Sequence, residues 1–377
     1  MTINLGEPTY GEEELEAVHK VFTSNWVSGQ GPTSRSFEAA FANFCEATGS
    51  VALNNCTAGL HLALIALGIG QGDEVIVADY TYPATGLSVL YTGARPVFCD
   101  IRADTWTLNT SVAETLINSR TRAIIAVDVA GQPADYDELH RITTKHGIAL
   151  IQDAACSVGA TFDHRRTGNP WFADVSLFSF HGRKGITCGE GGAATARETS
   201  ILEKIRKLSC FGVESAMARQ ASDTLPIPIF TDLGYNYKLS DIACGIMEVQ
   251  LRRIDALLER RRQVARNYDL LFSTCDLIQV PRIAPNREHA YQTYTLCLDE
   301  SVRRDDVAMQ LRARGIGCNI GTFASHVQPI YGGGQHCPVS AKQWLRHLAI
   351  PMHANLTDFD VEEVARNVID VVDKTRK

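Results

Sequence analysis

The sequence predicts an α/β protein whose sheet is mainly parallel. Short, almost wholly apolar runs rich in β-branched residues alternate with longer stretches of helical periodicity through the first two thirds of the chain. Several of these runs end on Asp or Asn, and ligands of open α/β sheets bind at the carboxyl ends of strands. The runs are VALN (51–54), EVIVAD (74–79), PVFCD (96–100), AIIAVD (123–128), IALIQD (148–153) and VSLFSF (175–180).

The last third of the chain has a different pattern. From Ser240 to about Phe272, apolar residues recur at helical spacing with charged residues opposite them, which predicts a long helix that bridges two lobes. Its arginine run at 260–262 is expected to face solvent. The segments that follow, including a helix after Thr357, indicate a smaller α+β domain. A chain of 377 residues is long enough for two cores.

Composition excludes several functional classes. A formal net charge of -7 argues against a nucleic-acid partner. Apolar runs long enough to span a membrane and a signal-peptide pattern are both missing, so we expect a cytoplasmic protein without a membrane partner. The 11 cysteines contain no C-x-x-C pair and the histidines no H-x-x-x-H pattern, so we expect reduced core cysteines and no metal.

A candidate anion site follows the first apolar run. Asn55, Cys56, Thr57 and Ala58 stand between VALN and an amphipathic helical stretch. The open N–H groups and the dipole of a helix start bind anions, and the Thr57 hydroxyl would add a donor. An ordinary helix N-cap explains these residues equally well when they are taken alone.

Asp153 ends the run IALIQD and is followed by small residues that allow a ligand to approach closely. A carboxylate in this position can pair with a protonated ring nitrogen and raise the pKa of that nitrogen. An Asp that caps the next helix is the alternative interpretation.

Lys184 lies in the glycine-rich stretch SFHGRKGITCGEGGA (179–193), which also contains Ser179. Because a lysine in a tight, partly dry site is shifted toward its neutral amine, it can attack a carbonyl and form a Schiff base. A phosphate loop of the G-x-x-x-x-G-K-[ST] type is excluded by spacing, whereas a purely structural lysine stays open. An anion site, a strand-end carboxylate and a reactive amine are together the parts that hold pyridoxal 5'-phosphate.

Beyond these positions, the chain resembles the DegT/DnrJ/EryC1/StrS family of pyridoxal-phosphate-dependent sugar aminotransferases over nearly its whole length. The resemblance implies fold type I of the aspartate aminotransferase kind. It would have a large domain over residues 1–250 with a mainly parallel seven-stranded sheet, and a small C-terminal α+β domain over 251–377. The matching stretches are NWVSGQGPTSRSFE (25–38), CTAGLHLAL (56–64), YTGARPVFCDI (91–101), AGQPADYD (130–137), QDAACSVGA (152–160), SFHGRKGITCGEGGA (179–193), LGYNYKLSDIACGI (233–246), QLRRID (250–255) and LAIPMHANLTD (348–358).

Carried over residue by residue, the resemblance assigns the catalytic roles to Lys184 and Asp153. It implies that Lys184 forms the Schiff base with pyridoxal 5'-phosphate and later moves the proton, with pyridoxamine 5'-phosphate as the intermediate form. Asp153 would pair with the ring nitrogen of the cofactor. Tyr82 would stack on the cofactor ring, although a core tyrosine is the alternative. Cys156 stands near the ring oxygen, where relatives usually carry His or Gln, and it is a poorer hydrogen-bond partner.

The resemblance also implies a phosphate site that is shared between subunits. Cys56, Thr57 and Ser179 would hold the phosphate, together with Asn236 from a second subunit. The active enzyme would therefore be a homodimer. The stretch NWVSGQGP would line the substrate entrance, with Trp26 as a candidate contact unless it is only a structural loop.

The substrate-facing positions depart from the family pattern. Many members have a His-Tyr pair within the stretch that corresponds to 317–331, and a His is frequent at the position of Gln292. Here Asn319, Gly321, Thr322 and Phe323 occupy the region and His326 follows; the substrate candidates are Thr322, Phe323 and His326. The identity of the amino acceptor is therefore the least determined part of the prediction.

The predicted function is transfer of an amino group from glutamate to a keto-deoxy sugar. The resemblance favours a nucleotide-linked sugar used for surface polysaccharide, such as lipopolysaccharide, or for an antibiotic. One alternative is a carbonyl acceptor without a nucleotide, such as a cyclitol ketone or a free sugar acid. A regulatory protein that binds the cofactor without turnover is the more distant alternative. Dehydratase chemistry is disfavoured because Lys184 is present where dehydratase members carry histidine.

Overall fold

The computed structural model describes residues 2–213 and 227–376. The strands are β1 (Ser50–Leu53), β2 (Glu74–Ala78), β3 (Tyr80–Thr81), β4 (Arg95–Cys99), β5 (Thr121–Val127), β6 (Ala149–Asp153), β7 (Thr161–Phe162), β8 (Arg165–Arg166), β9 (Val175–Ser179), β10 (Gly192–Ala196), β11 (Ile278–Gln279), β12 (Arg287–Glu288), β13 (Tyr294–Leu298), β14 (Asn319–Ile320), β15 (Phe323–Ala324) and β16 (His347–Ile350). The helices are α1 (Glu12–Thr23), α2 (Pro32–Phe44), α3 (Cys56–Ala66), α4 (Ala84–Tyr91), α5 (Thr110–Leu116), α6 (Tyr136–His146), α7 (Thr199–Ser209), α8 (Asp241–Phe272), α9 (Arg304–Ala313), α10 (Pro338–Arg346) and α11 (Asp358–Thr375).

The largest sheet has seven strands in the order β1-β10-β9-β6-β5-β2-β4. Only β10 runs antiparallel to its neighbours, so the sheet is mainly parallel as predicted. The six apolar runs of the sequence form six of its strands, which confirms those predictions. The seventh, β10, has the sequence GAATA and lacks the bulky β-branched pattern by which the other six were recognised.

The C-terminal part is built on an antiparallel sheet in the order β11-β13-β16-β14, which confirms the predicted α+β character. Two short antiparallel pairings join it to the first part of the chain: β15 pairs with β3, and β12 pairs with β7. The pairing of β15 with β3 brings Phe323 and Ala324 beside Tyr80 and Thr81, which follow directly after β2 of the seven-stranded sheet. The altered segment 317–331 is thereby placed beside the strand ends.

Helix α8 confirms the predicted long helix, and the side chain of Ser240 caps it by accepting a hydrogen bond from the N–H of Ala243 at 3.2 Å. Its residues up to Leu258 pack in one core with α2, whereas those from Val264 onward pack in the core of the antiparallel sheet. The predicted domain boundary between residues 250 and 251 falls inside this helix. The division at that position stays a prediction.

The expectation that residues 260–262 face solvent is wrong for Arg261, which is only 3% exposed. Its guanidinium donates hydrogen bonds to the carbonyl oxygens of Tyr291 and Met352, both at 3.1 Å. Burial lowers the pKa of Arg261 to about 10. Periodicity did not reveal this because three adjacent arginines point in different directions around a helix, and one of them must turn toward the interior.

All of the cysteines are free, and Cys156, Cys188 and Cys210 are the three that are not buried. The expectation of reduced core cysteines is confirmed for the others. No helix among the described residues has both the length and the apolar composition for crossing a bilayer.

Asp241, at the start of α8, caps the neighbouring helix α2 and is fully buried. Its carboxylate accepts hydrogen bonds from the backbone N–H groups of Gly31 at 3.1 Å, Thr33 at 3.0 Å and Ser34 at 3.3 Å, and from the Ser34 hydroxyl. One side chain thus satisfies the first turn of α2 and fixes it against α8.

We expect Asp241→Ala to lower the free energy of unfolding by about 2–4 kcal/mol, because buried N–H groups lose their acceptor. Urea unfolding followed by circular dichroism measures this. Asp255→Ala is the matched control, since the Asp255 side chain is 73% exposed and pairs with Arg166 at the surface; its effect should stay below about 1 kcal/mol. Equal effects of the two substitutions would contradict the capping role.

Candidate active site

A cavity of about 830 Å³ opens at the carboxyl ends of β1, β6 and β9. This is the sheet edge at which the sequence predicted a ligand. The structure brings most of the predicted site residues together there. Those that line the cavity are Cys56, Thr57, Tyr82, Asp153, Cys156, Ser179, Lys184, Thr322 and Phe323. Trp26, Asn236 and His326 do not line it.

The first turn of α3 forms one wall of the cavity. The helix is capped by Asn55, whose side-chain oxygen accepts a hydrogen bond from the N–H of Ala58 at 2.7 Å. Thr57 is therefore not the cap but the second residue of the helix, and it lines the cavity. Strand β10 passes close to this turn because Gly192 has no side chain: an ideal Cβ there would lie 2.8 Å from the nitrogen of Cys56. The turn keeps its open N–H groups toward the cavity, as an anion site requires.

Asp153, the last residue of β6, is 5% exposed. Its carboxylate accepts hydrogen bonds from the Thr85 hydroxyl at 2.8 Å and from the N–H of Ala155 at 3.2 Å. Burial raises the pKa of Asp153, and these hydrogen bonds and the charge of Lys184 offset only part of the effect. A cationic partner in the cavity would therefore gain a strong interaction with this carboxylate.

Thr85 is a site residue that the sequence did not predict. This residue lies in the first turn of α4, is 1% exposed and holds one oxygen of Asp153, which is 68 positions away in the chain. It stands three residues after Tyr82 in the stretch DYTYPATG, but threonine at a helix start is too common to signal such a contact. Tyr82 itself is 63% exposed, with its ring open to the cavity.

Lys184 follows β9 in a turn, where its N–H donates a hydrogen bond to the carbonyl oxygen of His181 at 2.8 Å. The turn directs the Lys184 amine into the cavity, 3.2 Å from the sulfur of Cys156. Burial lowers the pKa of Lys184, but Cys156 and the carboxylate of Asp153 outweigh this effect, and the pKa is raised. The sequence-based expectation of a neutral amine is therefore wrong for this geometry, because burial and neighbouring negative charge act in opposite directions.

Asn236 is exposed and faces away from the cavity of its own chain. The flanking Tyr235 and Tyr237 stack on each other at 5.0 Å between ring centroids, and both rings contact His61 of α3. Because alternate residues of an extended segment point in opposite directions, the two tyrosines that pack inward turn Asn236 outward. Its side-chain oxygen accepts a hydrogen bond from Lys238 at 2.5 Å.

The cavity wall formed by residues 319–323 depends on close packing between Tyr80 and Gly321. The Tyr80 hydroxyl accepts a hydrogen bond from the N–H of Thr322 at 3.2 Å and lies 2.7 Å from Nδ1 of His347. An ideal Cβ at Gly321 would lie 2.5 Å from the same hydroxyl. Position 321 therefore has no room for a side chain beside Tyr80, and glycine is the residue that fits there.

His326 and Trp26 form hydrogen bonds with other residues of the chain and do not line the cavity. Nδ1 of His326 lies 2.7 Å from a carboxylate oxygen of Asp79, and the His326 N–H donates to the other oxygen at 2.6 Å. Cys337 lies beside this pair, and the three offer ligand atoms within 4.8 Å of one another. The indole N–H of Trp26 donates to the carbonyl of Ser28 at 3.0 Å. The roles of His326 and Trp26 toward substrate, and the expected absence of a metal, stay predictions.

The residues of the cavity fit pyridoxal 5'-phosphate. The buried carboxylate of Asp153 has a raised pKa and so favours a cationic partner such as a protonated ring nitrogen. The open first turn of α3 suits a phosphate, and Lys184 lines the same cavity as these two features. Each end of the cofactor thus has a matching group on this chain.

Comparison with known proteins agrees with this geometry. The model of the DegT/DnrJ/EryC1/StrS aminotransferase family matches residues 8–369. The spore coat polysaccharide biosynthesis protein SpsC of Bacillus subtilis is 32% identical, over 97% of this chain and 96% of that protein.

Among solved structures, the aminotransferase TlmJ from Streptoalloteichus hindustanus is 32% identical and superposes with a TM-score of 0.91 over 99% of both chains. Spr1654 from Streptococcus pneumoniae, described as a sugar aminotransferase and solved in its PMP form, is 26% identical. It has a TM-score of 0.93 over 100% of this chain and 98% of that one. The chain therefore belongs to the DegT/DnrJ/EryC1/StrS family of pyridoxal-phosphate-dependent aminotransferases.

Proposed function

We propose that the protein transfers an amino group from glutamate to a keto sugar, most readily one that is linked to a nucleotide. The observation that carries this proposal is the meeting of Lys184, Asp153 and the first turn of α3 in one cavity. The names of SpsC and of Spr1654, described as a sugar aminotransferase, support sugar chemistry and a role in surface-polysaccharide synthesis.

The cofactor would be held by the residues that flank the cavity. The N–H groups of Cys56 and Thr57, with the Thr57 and Ser179 hydroxyls, would bind its phosphate. The Asp153 carboxylate would keep the ring nitrogen protonated, while the hydrogen bond from Thr85 orients that carboxylate. When bound, the cofactor would supply an electron sink for the carbon that exchanges its amino group.

Lys184 would move the proton of the reaction. Its amine must be uncharged to accept a proton from the donor carbon, and the raised pKa of Lys184 opposes this. Pairing of Asp153 with a cation would neutralise one of the charges that raise the pKa of Lys184. Occupation of the site would thus prepare the lysine to act as a base. In the first half-reaction the amine would pass a proton from the donor carbon to a carbon of the cofactor, and in the second it would pass a proton from that carbon to the acceptor carbon.

The uncharged polar part of the cavity lining suits a hydroxylated acceptor. Its polar side chains are hydroxyls and amides without charge, which exchange hydrogen bonds with sugar hydroxyls in either direction. The members of this part of the lining are Gln292, Thr293, Thr295, Asn319 and Thr322. We infer from them that the reacting end of the acceptor is a neutral polyol ring.

A homodimer with shared sites is part of the proposal. Asn236 projects away from its own cavity, held by the packing of Tyr235 and Tyr237 on His61. A side chain presented in this way is suited to a second subunit, where it would contact the cofactor phosphate. Each cavity would then be complete only in the dimer.

A second candidate is an acceptor without a nucleotide, such as a cyclitol ketone or a free sugar acid. The segment 317–331 favours it, because the family resemblance implies a His-Tyr pair within this stretch and the chain instead has Asn319, Gly321, Thr322 and Phe323 there. The overall reaction is the same for both candidates.

Single-turnover amination separates the two. The protein in its pyridoxamine-phosphate form is mixed with nucleotide-linked keto sugars, free keto acids, sugar aldehydes and cyclitol ketones, and the return of the pyridoxal-phosphate absorbance is followed. Rapid return with a nucleotide sugar supports the first candidate, and return with free carbonyl compounds alone supports the second. Lys184→Ala should show neither, although it still binds the cofactor; wild-type rates in that variant would refute the role of Lys184.

We expect Asp153→Asn to lower the turnover number by about 100-fold or more, because the amide cannot hold a proton on the ring nitrogen. Steady-state transamination at saturating cofactor measures this. Thr85→Val leaves the carboxylate but removes one hydrogen bond, so a smaller loss, of about 10-fold, is expected. Undiminished transamination by Asp153→Asn would mean that another group protonates the ring.

We expect Asn236→Ala to raise the dissociation constant of the cofactor by about 10-fold, because one phosphate contact is lost. Asn43→Ala on the exposed side of α2 is the control and should leave it unchanged.

Mixed dimers decide whether the Asn236 contact crosses between subunits. If it does, a dimer of one Asn236→Ala and one Lys184→Ala subunit has one site with both changes and one wild-type site. It should then recover wild-type cofactor affinity at the active site. Affinity that stays at the Asn236→Ala value would place the contact within one subunit.

A further inference from the structure

Arg183 lies at the mouth of the cavity, next to Lys184. Its N–H donates a hydrogen bond to Nδ1 of His181 at 3.3 Å, and its carbonyl oxygen accepts one from the Gln292 side chain at 3.0 Å. The stem of the side chain passes Gly6, another lining residue, with Cγ 3.9 Å from the position of an ideal Cβ there. The backbone of Arg183 is thus fixed on both sides, whereas its guanidinium is exposed.

Among the described residues of this chain that line the cavity, Arg183 is the cation that the cofactor would leave available to a substrate. Asp153 and Lys184 are engaged with the cofactor in the proposed function. Burial lowers the pKa of His61 and so favours its neutral form, while Nε2 of His181 faces Glu190 at 3.8 Å. The lining side chains that carry a charge or an imidazole are His61, Asp153, His181, Arg183, Lys184 and Glu190.

The guanidinium of Arg183 pairs with no acid of its own chain within residues 2–213 and 227–376. Among the described residues, no carboxylate lies within 4.0 Å of it, although the structure contains many arginine–carboxylate pairs at such distances. A ligand would not have to break an ion pair to bind there. Arginine is charged at every physiological pH and presents a planar fork that matches the oxygens of carboxylates and phosphates.

The proposed reaction needs such a group. The donor glutamate carries two carboxylates and a nucleotide-linked acceptor carries phosphates, yet Gln292, Thr293, Thr295, Asn319 and Thr322 in the cavity lining are uncharged. We propose that Arg183 binds an anionic oxygen group of the substrates at the cavity mouth, either a carboxylate of the amino donor or a phosphate of the nucleotide. This inference rests on the proposed function and adds the residue that selects anionic substrates.

Equilibrium binding to the holoenzyme tests the inference without turnover. Isothermal titration calorimetry gives the dissociation constants of glutarate, a dicarboxylate that lacks the amino group, and of the nucleoside diphosphates dTDP, UDP and GDP. We expect Arg183→Gln to raise one of these constants by about 10- to 100-fold, as loss of a charge-assisted hydrogen bond does. Arg183→Lys keeps the charge and should bind more tightly than Arg183→Gln.

The two ligand classes identify the source of the anion. A loss confined to glutarate assigns Arg183 to the donor, and a loss confined to the nucleotides assigns it to the acceptor. Competition of glutarate with glutamate in the first half-reaction confirms that the probe occupies the active site. Arg366→Gln, an exposed arginine on α11, is the control and should leave all constants unchanged.

Three results would overturn the inference. The first is that all dissociation constants of Arg183→Gln stay within about twofold of the wild-type values. The second is that neither class of probe binds the wild-type holoenzyme measurably. The third is that Arg183→Gln shifts the absorbance band of the bound cofactor, since the residue would then act through Lys184. Because these readouts need no acceptor turnover, they remain valid if the protein aminates none of the keto sugars tested.

Discussion

The buried carboxylate of Asp153 is the constraint on which the rest of the site depends. Placing it at the end of a central strand, almost out of contact with water, raises its pKa and makes the ionised form costly without a cation nearby. Thr85 and the N–H of Ala155 hold its two oxygens in a fixed direction. The seven-stranded sheet therefore presents an oriented negative charge to whatever enters the cavity.

Lys184 is linked to the same carboxylate through charge. Burial and neighbouring negative groups shift its pKa in opposite directions, and in this geometry the negative groups prevail. The pKa of Lys184 therefore depends on what occupies the cavity, because a cation paired with Asp153 would offset one of the charges that raise this pKa. Arg261 contacts the turn that contains Lys184, since its guanidinium lies 3.5 Å from the carbonyl oxygen of Lys184. The same guanidinium donates hydrogen bonds to the carbonyl oxygens of Tyr291 and Met352. The position of the lysine is thus connected to the packing of α8.

The cavity wall formed by residues 319–323 is supported by packing as well. Tyr80 fills the space beside Gly321 and binds the backbone of Thr322, so the wall is held from inside the protein and leaves neutral hydroxyls and amides toward the cavity. Arg183 adds a single positive charge at the rim. Neutral polar groups in the lining and the cation at Arg183 would allow one cavity to accept both a charged amino donor and a polyol acceptor.

The sequence by itself determined the parallel sheet and the long helix α8, and it gave Lys184 and the strand-end Asp153 as candidates for the site. These features are encoded locally, in runs of apolar residues, in helical spacing and in the glycine-rich turn around Lys184. Only the tertiary structure decided which residues surround them. Thr85 reaches Asp153 across 68 positions, Tyr80 leaves room only for glycine at 321, and Arg261 turns inward from a run that looked solvent-exposed. The direction of the Lys184 pKa shift was also decided there, because it depends on the distances between charges and not on the residue types alone.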